Sequence, residues 1–121
     1  MTKPFRFGVQ CGGTFDQRGW RALARKIEDR GFSTLFVPDH FIDTVLAPLP
    51  AMAMAAEATS TLNVGALVFA NDYKHPAILA KEIATIDNLS DGRVEFGIGA
   101  GGMEVDYTAL GLPYDRPGVR I

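Results

Sequence analysis

LNVGALVFANDYKHPAILAKEIATIDNLSDGRVEFGI, residues 62–98, holds one complete strand–helix–strand unit. Leu62 to Phe69 and Arg93 to Ile98 are short runs rich in Val, Leu, Ile and Phe, the composition of buried strands. Between them Pro76 suits a first helical position, Leu79, Ile83 and Ile86 recur on one face, and Asp91-Gly92 marks the turn into the next strand. A helix spliced between two such runs predicts parallel pairing, because only a long crossover can bring a second strand back in the same direction.

Working outward, the unit repeats. Further β-type runs occur at Phe5 to Cys11 and Thr34 to Val37, and the first residues of the four runs lie 29, 28 and 31 positions apart. In the first connection Asp16 is a helix N-cap, Trp20, Leu23, Ala24 and Ile27 follow helical spacing, and Gly31 supplies a stop. In the second, Leu49 to Ala58 is rich in alanine and methionine, with Pro50 suited to a first turn. Eight units of about 30 residues would total ~240, close to the ~250 of a (β/α)₈ barrel. The predicted class is therefore α/β: the N-terminal half of a (β/α)₈ TIM barrel, with about four parallel strands and three crossover helices. Residues 1–121 are expected to form one partial barrel domain, ending after the fourth strand and its loop. The rival is a complete doubly wound sheet of the flavodoxin type. Against it, Tyr114 to Ile121 reads as the approach to a further helix.

Bulk properties narrow the function. In 121 residues with 47% hydrophobic content there is material for one core. A net charge of −2, with 12 basic and 14 acidic residues interspersed, offers no basic stripe for nucleic acid. Cys11 is the single cysteine, so no intrachain disulfide and no C-x-x-C site is available, and a reducing, cytoplasmic setting is expected. The N-terminus lacks a signal-peptide apolar core, and no apolar run approaches the ~18 residues of a membrane span. A soluble protein acting on a small molecule, without a membrane partner, is the expectation.

In parallel α/β folds the working face is built from loops after the carboxyl ends of strands. Three unusual clusters fall there. Pro38-Asp-His-Phe41 sets a carboxylate beside an imidazole: His40 can exchange a proton near neutrality and Asp39 can orient it or bond a polar ring, or the pair simply caps the loop. Asp39, His40, Asp43 and His75 match no metal-ligand motif, and no metal is expected. Phe69-Ala-Asn-Asp-Tyr-Lys-His-Pro76 leaves an apolar strand abruptly, which suits either an irregular backbone near a ligand or an Asx turn into the next helix. Gly97-Ile-Gly-Ala-Gly-Gly102 contains G-x-G-x-x-G, yet it follows the fourth strand rather than the first, which disfavours a dinucleotide site. Either a side-chain-free wall beside something flat or a plain glycine connection remains.

Together these residues resemble the luciferase-like superfamily, most closely its F420-dependent oxidoreductase branch. The resemblance is carried by Pro38 to Phe41, Asn71 to Lys81, Leu89 to Arg93, Phe96 to Gly101, Asp106-Tyr107 and Asp115 to Gly118, in the family's order and spacing. It implies a deazaflavin (coenzyme F420) or FMN ring at the carboxyl-terminal mouth of the barrel. Asp39 and His40 would face that ring, with His40 the proton donor or acceptor. The Ala70-Asn71 region would correspond to the family's bulge, often with a non-prolyl cis peptide, and Gly99, Ala100 and Gly101 would line the cofactor. Gly102 stands where some sugar-phosphate dehydrogenase relatives carry an acidic catalyst, which puts that reaction in doubt.

Three functions follow for test. The parent protein transfers a hydride between F420 and an organic substrate, with the isolated chain inactive. Or it is an FMN-dependent monooxygenase. Or the chain is a non-enzymatic half-barrel that self-associates, since open strand edges invite pairing; a homo-oligomer is expected in either setting.

Overall fold

The computed structural model describes residues 2–42 and 46–120, so Asp43, one of the metal candidates, lies outside the described residues. Four strands, β1 (Gly8–Gln10), β2 (Thr34–Val37), β3 (Asn63–Ala70) and β4 (Val94–Gly99), form one parallel sheet in the order β1-β2-β3-β4. Three crossover helices join them: α1 (Gln17–Asp29), α2 (Pro48–Ala58) and α3 (Pro76–Leu89). A doubly wound sheet reverses its order at a switch point and carries helices on both faces. Here the order is sequential, and right-handed crossovers then set all three helices on one face. That is the barrel arrangement, and it disposes of the flavodoxin alternative.

Each helix forms for reasons written locally. The Asp16 side chain accepts from the Gly19 N–H at 2.7 Å and so satisfies a donor of the first turn of α1. The predicted stripe is the buried one, with Trp20, Ala24 and Ile27 in the core and Leu23 against it. The second helix begins at Pro48 rather than Leu49, and Pro50 still falls in its first turn, where no intrahelical donor is lost. Its small residues Ala51, Ala55 and Ala56 let α2 lie close to β3, and Trp20 donates through Nε1 to the Ala51 carbonyl at 2.9 Å. Leu35, Val37, Val64, Ala66 and Phe69 complete this core from the sheet.

The first strand is shorter than Phe5 to Cys11. Phe5 and Phe7 are exposed, because this edge strand has one neighbour of only four residues to pair with. Two bonds continue its ladder, Ser33 N–H to the Phe7 carbonyl and Cys11 N–H to the Phe36 carbonyl. On the sheet face away from the helices, Glu95 Oε1 accepts from Thr34 Oγ1 and Asn63 Nδ2, both at 3.0 Å, and pairs with Arg6. Above this polar layer the Phe36 ring lies against Gly8 and Gly65, where added side chains would collide with it.

The turn into β4 is the predicted one, with Asp91 at φ 57° and Gly92 at φ 78°. Beyond β4 the structure departs from expectation. Instead of an unbroken loop, α4 (Glu104–Leu110) follows, ended by Gly111 in the left-handed region, and then the short α5 (Pro117–Arg120). Among the described residues no helix is long and apolar enough to cross a membrane.

Candidate active site

The parallel register brings the carboxyl ends of β2, β3 and β4 to one rim of the sheet, with Val37 beside Ala66 and Ala70 beside Gly99. The segments leaving these strands enclose a cleft of about 350 Å³. Six of the residues singled out from sequence line it: Asp39, His40, Ala70, Gly99, Ala100 and Gly101. Asn71 does not. It begins a 3₁₀ turn (Asn71–Tyr73) and lines a neighbouring depression with Asp72, Leu112 and Arg120.

On the polar side of the cleft, Asp39 Oδ2 accepts from the Ala70 N–H at 3.0 Å, tying the β2 loop to the end of β3. Burial pushes the Asp39 carboxyl above the usual carboxylate range, and the Ala70 N–H with the charges of His40 and Lys74 only partly offsets it. A second carboxylate meets His40. His40 Nδ1 lies 2.9 Å from Asp106 Oδ2, a carboxylate 66 residues away on α4. Asp106 is wholly buried, and its Oδ1 accepts from the backbone N–H groups of Phe41 at 2.9 Å and Ile42 at 3.1 Å. The Tyr73 hydroxyl donates to Oδ2 at 3.2 Å. Burial alone would raise the Asp106 carboxyl, but these donors outweigh it and hold the group below the ordinary range. The Tyr73 phenol is pushed well up, by burial first and by Asp106 second.

The rest of the lining, Leu67, Val68, Ala70 and the Gly99–Gly102 segment, carries no titratable side chain. Between Ala66, paired with Phe96, and Phe69, paired with Ile98, two residues of β3 oppose the single Gly97 of β4. This bulge leaves Leu67 and Val68 half-exposed in the cleft while Ala66 and Phe69 on either side stay buried. The resemblance set the bulge at Ala70-Asn71. It lies three residues earlier, with the cis peptide between Leu67 and Val68, and Ala70 is back in regular register. Val68 also explains a glycine, since a Cβ on Gly99 would come within 2.8 Å of Val68 Cγ2. Tyr107 of α4 closes the rim, its hydroxyl 2.9 Å from Asp72 Oδ2 and 2.8 Å from the Ala100 carbonyl. The Arg120 guanidinium donates to the Ala100 and Gly101 carbonyls at 2.8 and 2.9 Å and covers the Tyr114 ring.

Sequence reasoning gave no role to Asp106, Tyr73, Leu67 or Val68. For Asp106 a signal existed: an acidic pair at the start of a short segment stopped by Gly111 is a helix signature. Nothing local marks Leu67 and Val68, which read as ordinary strand residues. His75 is a structural residue, capping α3 by accepting from the Ala77 N–H at 3.2 Å. Among the described residues no group of His, Cys, Asp and Glu could hold a metal ion. A larger cavity of about 560 Å³ lies between α2 and α3 and shares Asp39, Ala70 and Tyr73 with the cleft, but neither His40 nor the glycine segment reaches it. The smaller cleft combines glycine backbone and the aliphatic side chains of Leu67 and Val68 with the polar groups of Asp39, His40 and Tyr73.

Comparison with known proteins agrees with this geometry. The sequence profile of the family described as luciferase-like monooxygenase matches residues 4–121. A 4-hydroxyprotoasukamycin monooxygenase from Streptomyces nodosus subsp. asukaensis is 33% identical over 77% of this chain and 26% of its own length. A 5,10-methylenetetrahydromethanopterin reductase from Archaeoglobus fulgidus is 33% identical over 93% of this chain and 33% of its own. Among solved structures, the coenzyme F420 dependent tetrahydromethanopterin reductase from Methanopyrus kandleri superposes with a TM-score of 0.79 at 28% identity, covering 90% of this chain and 30% of that one. The chain thus spans about a quarter to a third of the length of these relatives. With the profile matched almost end to end and the half-barrel topology in place, the chain belongs to the luciferase-like monooxygenase family.

Proposed function

We propose that the cleft holds the tricyclic ring of coenzyme F420, and that this chain is the N-terminal portion of a longer F420-dependent oxidoreductase acting on a small organic substrate. The observation that carries the reading is the cleft's division of labour. Leu67, Val68 and the Gly99–Gly102 segment line it without reactive side chains, while Asp39, His40 and Tyr73 bring the polar groups. When bound, the deazaflavin supplies the hydride-carrying carbon, so the protein needs only to position, exclude water and manage protons. In this reading Leu67 and Val68 support one ring face, and the backbone at Ala70, Gly99, Ala100 and Gly101 approaches its edge. Asn71, just outside the cleft, would meet a more distant part of the cofactor. Asp39, with its carboxyl raised by burial, can hydrogen-bond a polar ring atom in either protonation state, and His40 holds or delivers the substrate's proton.

The F420-dependent relative at 28% identity supports this cofactor. The monooxygenase relative at 33% identity supports a second reading, with FMN in the same cleft and O₂ as co-substrate. Titrating the purified full-length protein with F420 and with FMN separates them. The first predicts tighter F420 binding and a His40→Ala variant whose turnover falls about 100-fold with little change in cofactor affinity. Tighter FMN binding with an oxygenated product favours the second, and binding of neither cofactor defeats both. Half-exposed Phe96 and Ile98 on the edge strand β4 also support an oligomeric or self-associating state of the isolated chain, which sedimentation would contradict by returning a stable monomer.

A further inference from the structure

We propose that Asp106 is a positioning residue that locks His40 as the Nδ1–H tautomer, which puts the basic lone pair of the neutral imidazole on Nε2. The hydrogen-bond arithmetic around Asp106 leads there. A buried carboxylate can only accept, and every partner of Asp106 is a donor or can become one: Phe41 N–H and Ile42 N–H on Oδ1, Tyr73 O–H and His40 Nδ1 on Oδ2. The acceptor therefore dictates that the proton of neutral His40 sits on Nδ1. The two backbone donors fix which carboxylate oxygen faces the imidazole. In an Asp106→Asn variant the amide oxygen is the group able to satisfy Phe41 and Ile42, so the amide nitrogen must occupy the Oδ2 position. It would then donate to Nδ1 and drive the ring's proton to Nε2. One isosteric change thus inverts the tautomer without removing a side chain.

The chain contains an internal reference. Its second histidine, His75, accepts from the Ala77 N–H through Nδ1 and must carry its proton on Nε2. The two histidines of one molecule are therefore expected in opposite tautomers. The tautomer assignment stands on the contacts alone, while its catalytic consequence rests on the proposed function of the cleft.

The test is a long-range ¹H–¹⁵N spectrum of histidine-labelled full-length protein at pH about 9, where an ordinary imidazole is neutral. The ring signals are assigned with His75→Asn, which keeps a capping side chain. One Nδ1–H and one Nε2–H pattern are expected in the parent protein, and two Nε2–H patterns in the Asp106→Asn variant. Two Nε2–H patterns in the parent protein, or an unchanged His40 pattern in a folded variant, would overturn the proposal. Should the variant fail to fold, the parent spectrum decides alone. With F420 bound, Asp106→Asn is expected to lower kcat by at least about tenfold at unchanged cofactor affinity. A protein that shows the opposite tautomers but binds no F420 would sink the proposed function and leave the positioning role standing. Cofactor binding with the wrong tautomer would do the reverse.

Discussion

The hydroxyl of Tyr107 fills the space that a side chain on Gly101 would need, and Gly101 itself has φ 75°, so two independent features demand glycine there. Gly102, one residue on, has open space around its Cβ position. Gly101→Ala is therefore expected to cost about 2 kcal/mol or more, against less than about 1 kcal/mol for Gly102→Ala. Urea unfolding of both variants checks the contrast. Tyr107→Phe, which removes the intruding oxygen, should recover part of the Gly101→Ala loss in a double-mutant cycle. Strictly additive losses would show that the hydroxyl is not the obstacle.

That contrast also marks how far the sequence could be read. The glycine run was legible as a special segment, but a wall for a ligand and a pocket for a tyrosine leave the same letters. Gly101 and Gly99 are glycines because Tyr107 and Val68 crowd them, and both neighbours come from other elements. The fold was legible because hydrophobic period, caps and turns are local: Asp16, Trp20, Pro76 and Asp91-Gly92 act where they stand in the chain. The contact of His40 with Asp106 was not legible, since Asp106 reaches it across 66 residues through packing that no spacing rule encodes, nor was the hydrogen bond from the Ala70 N–H to Asp39. The bulge at Leu67-Val68 escaped for a similar reason. Its residues are ordinary strand formers, and only the pairing with β4 reveals the extra one.

Stability against pH should separate the two aspartates of the rim. Asp106 is held below the ordinary carboxylate range, so its stabilising contribution is present above that range and is lost as pH falls through its folded value. Asp39 is held above the range, so the contribution of its neutral form is present at low pH and is lost as pH rises through its folded value. Asp39→Asn is thus expected to stabilise the fold at pH 7, by less than about 1 kcal/mol after solvent screening, with the gain vanishing near pH 3. Thermal melts across this range provide the measurement. A loss at pH 7 would mean that the ionised carboxylate is needed by its contacts.

At the other end of the sheet, the Glu28 carboxylate accepts from the backbone N–H groups of Ser60, Thr61 and Leu62 and from the Thr61 hydroxyl, fastening the α2–β3 loop to α1. Burial raises this group, but the four donors together outweigh it and hold it below its ordinary range. Glu28→Ala is expected to destabilise by about 1 kcal/mol, because it removes charge-assisted hydrogen bonds to a loop whose Ser60 and Thr61 donors can turn to water while the Leu62 N–H is part-buried. The contribution of the wild-type residue should fade as the medium is acidified. Cofactor affinity should not change, since the loop is at the opposite end of the strands from the cleft. A fall in F420 affinity matching the fall in stability would contradict that separation.

The central claim is that a flat redox ring lies between the Leu67-Val68 bulge and the His40 side of the rim. Backbone amide shifts of isotope-labelled full-length protein, recorded while F420 is added, test it most directly. The account predicts that the largest changes fall together on Asp39, His40, Leu67, Val68 and Gly99 to Gly102, with residues that line only the larger cavity between α2 and α3, such as Leu49 and Ile86, changing little. Changes centred on that second cavity, with the glycine segment silent, would contradict it.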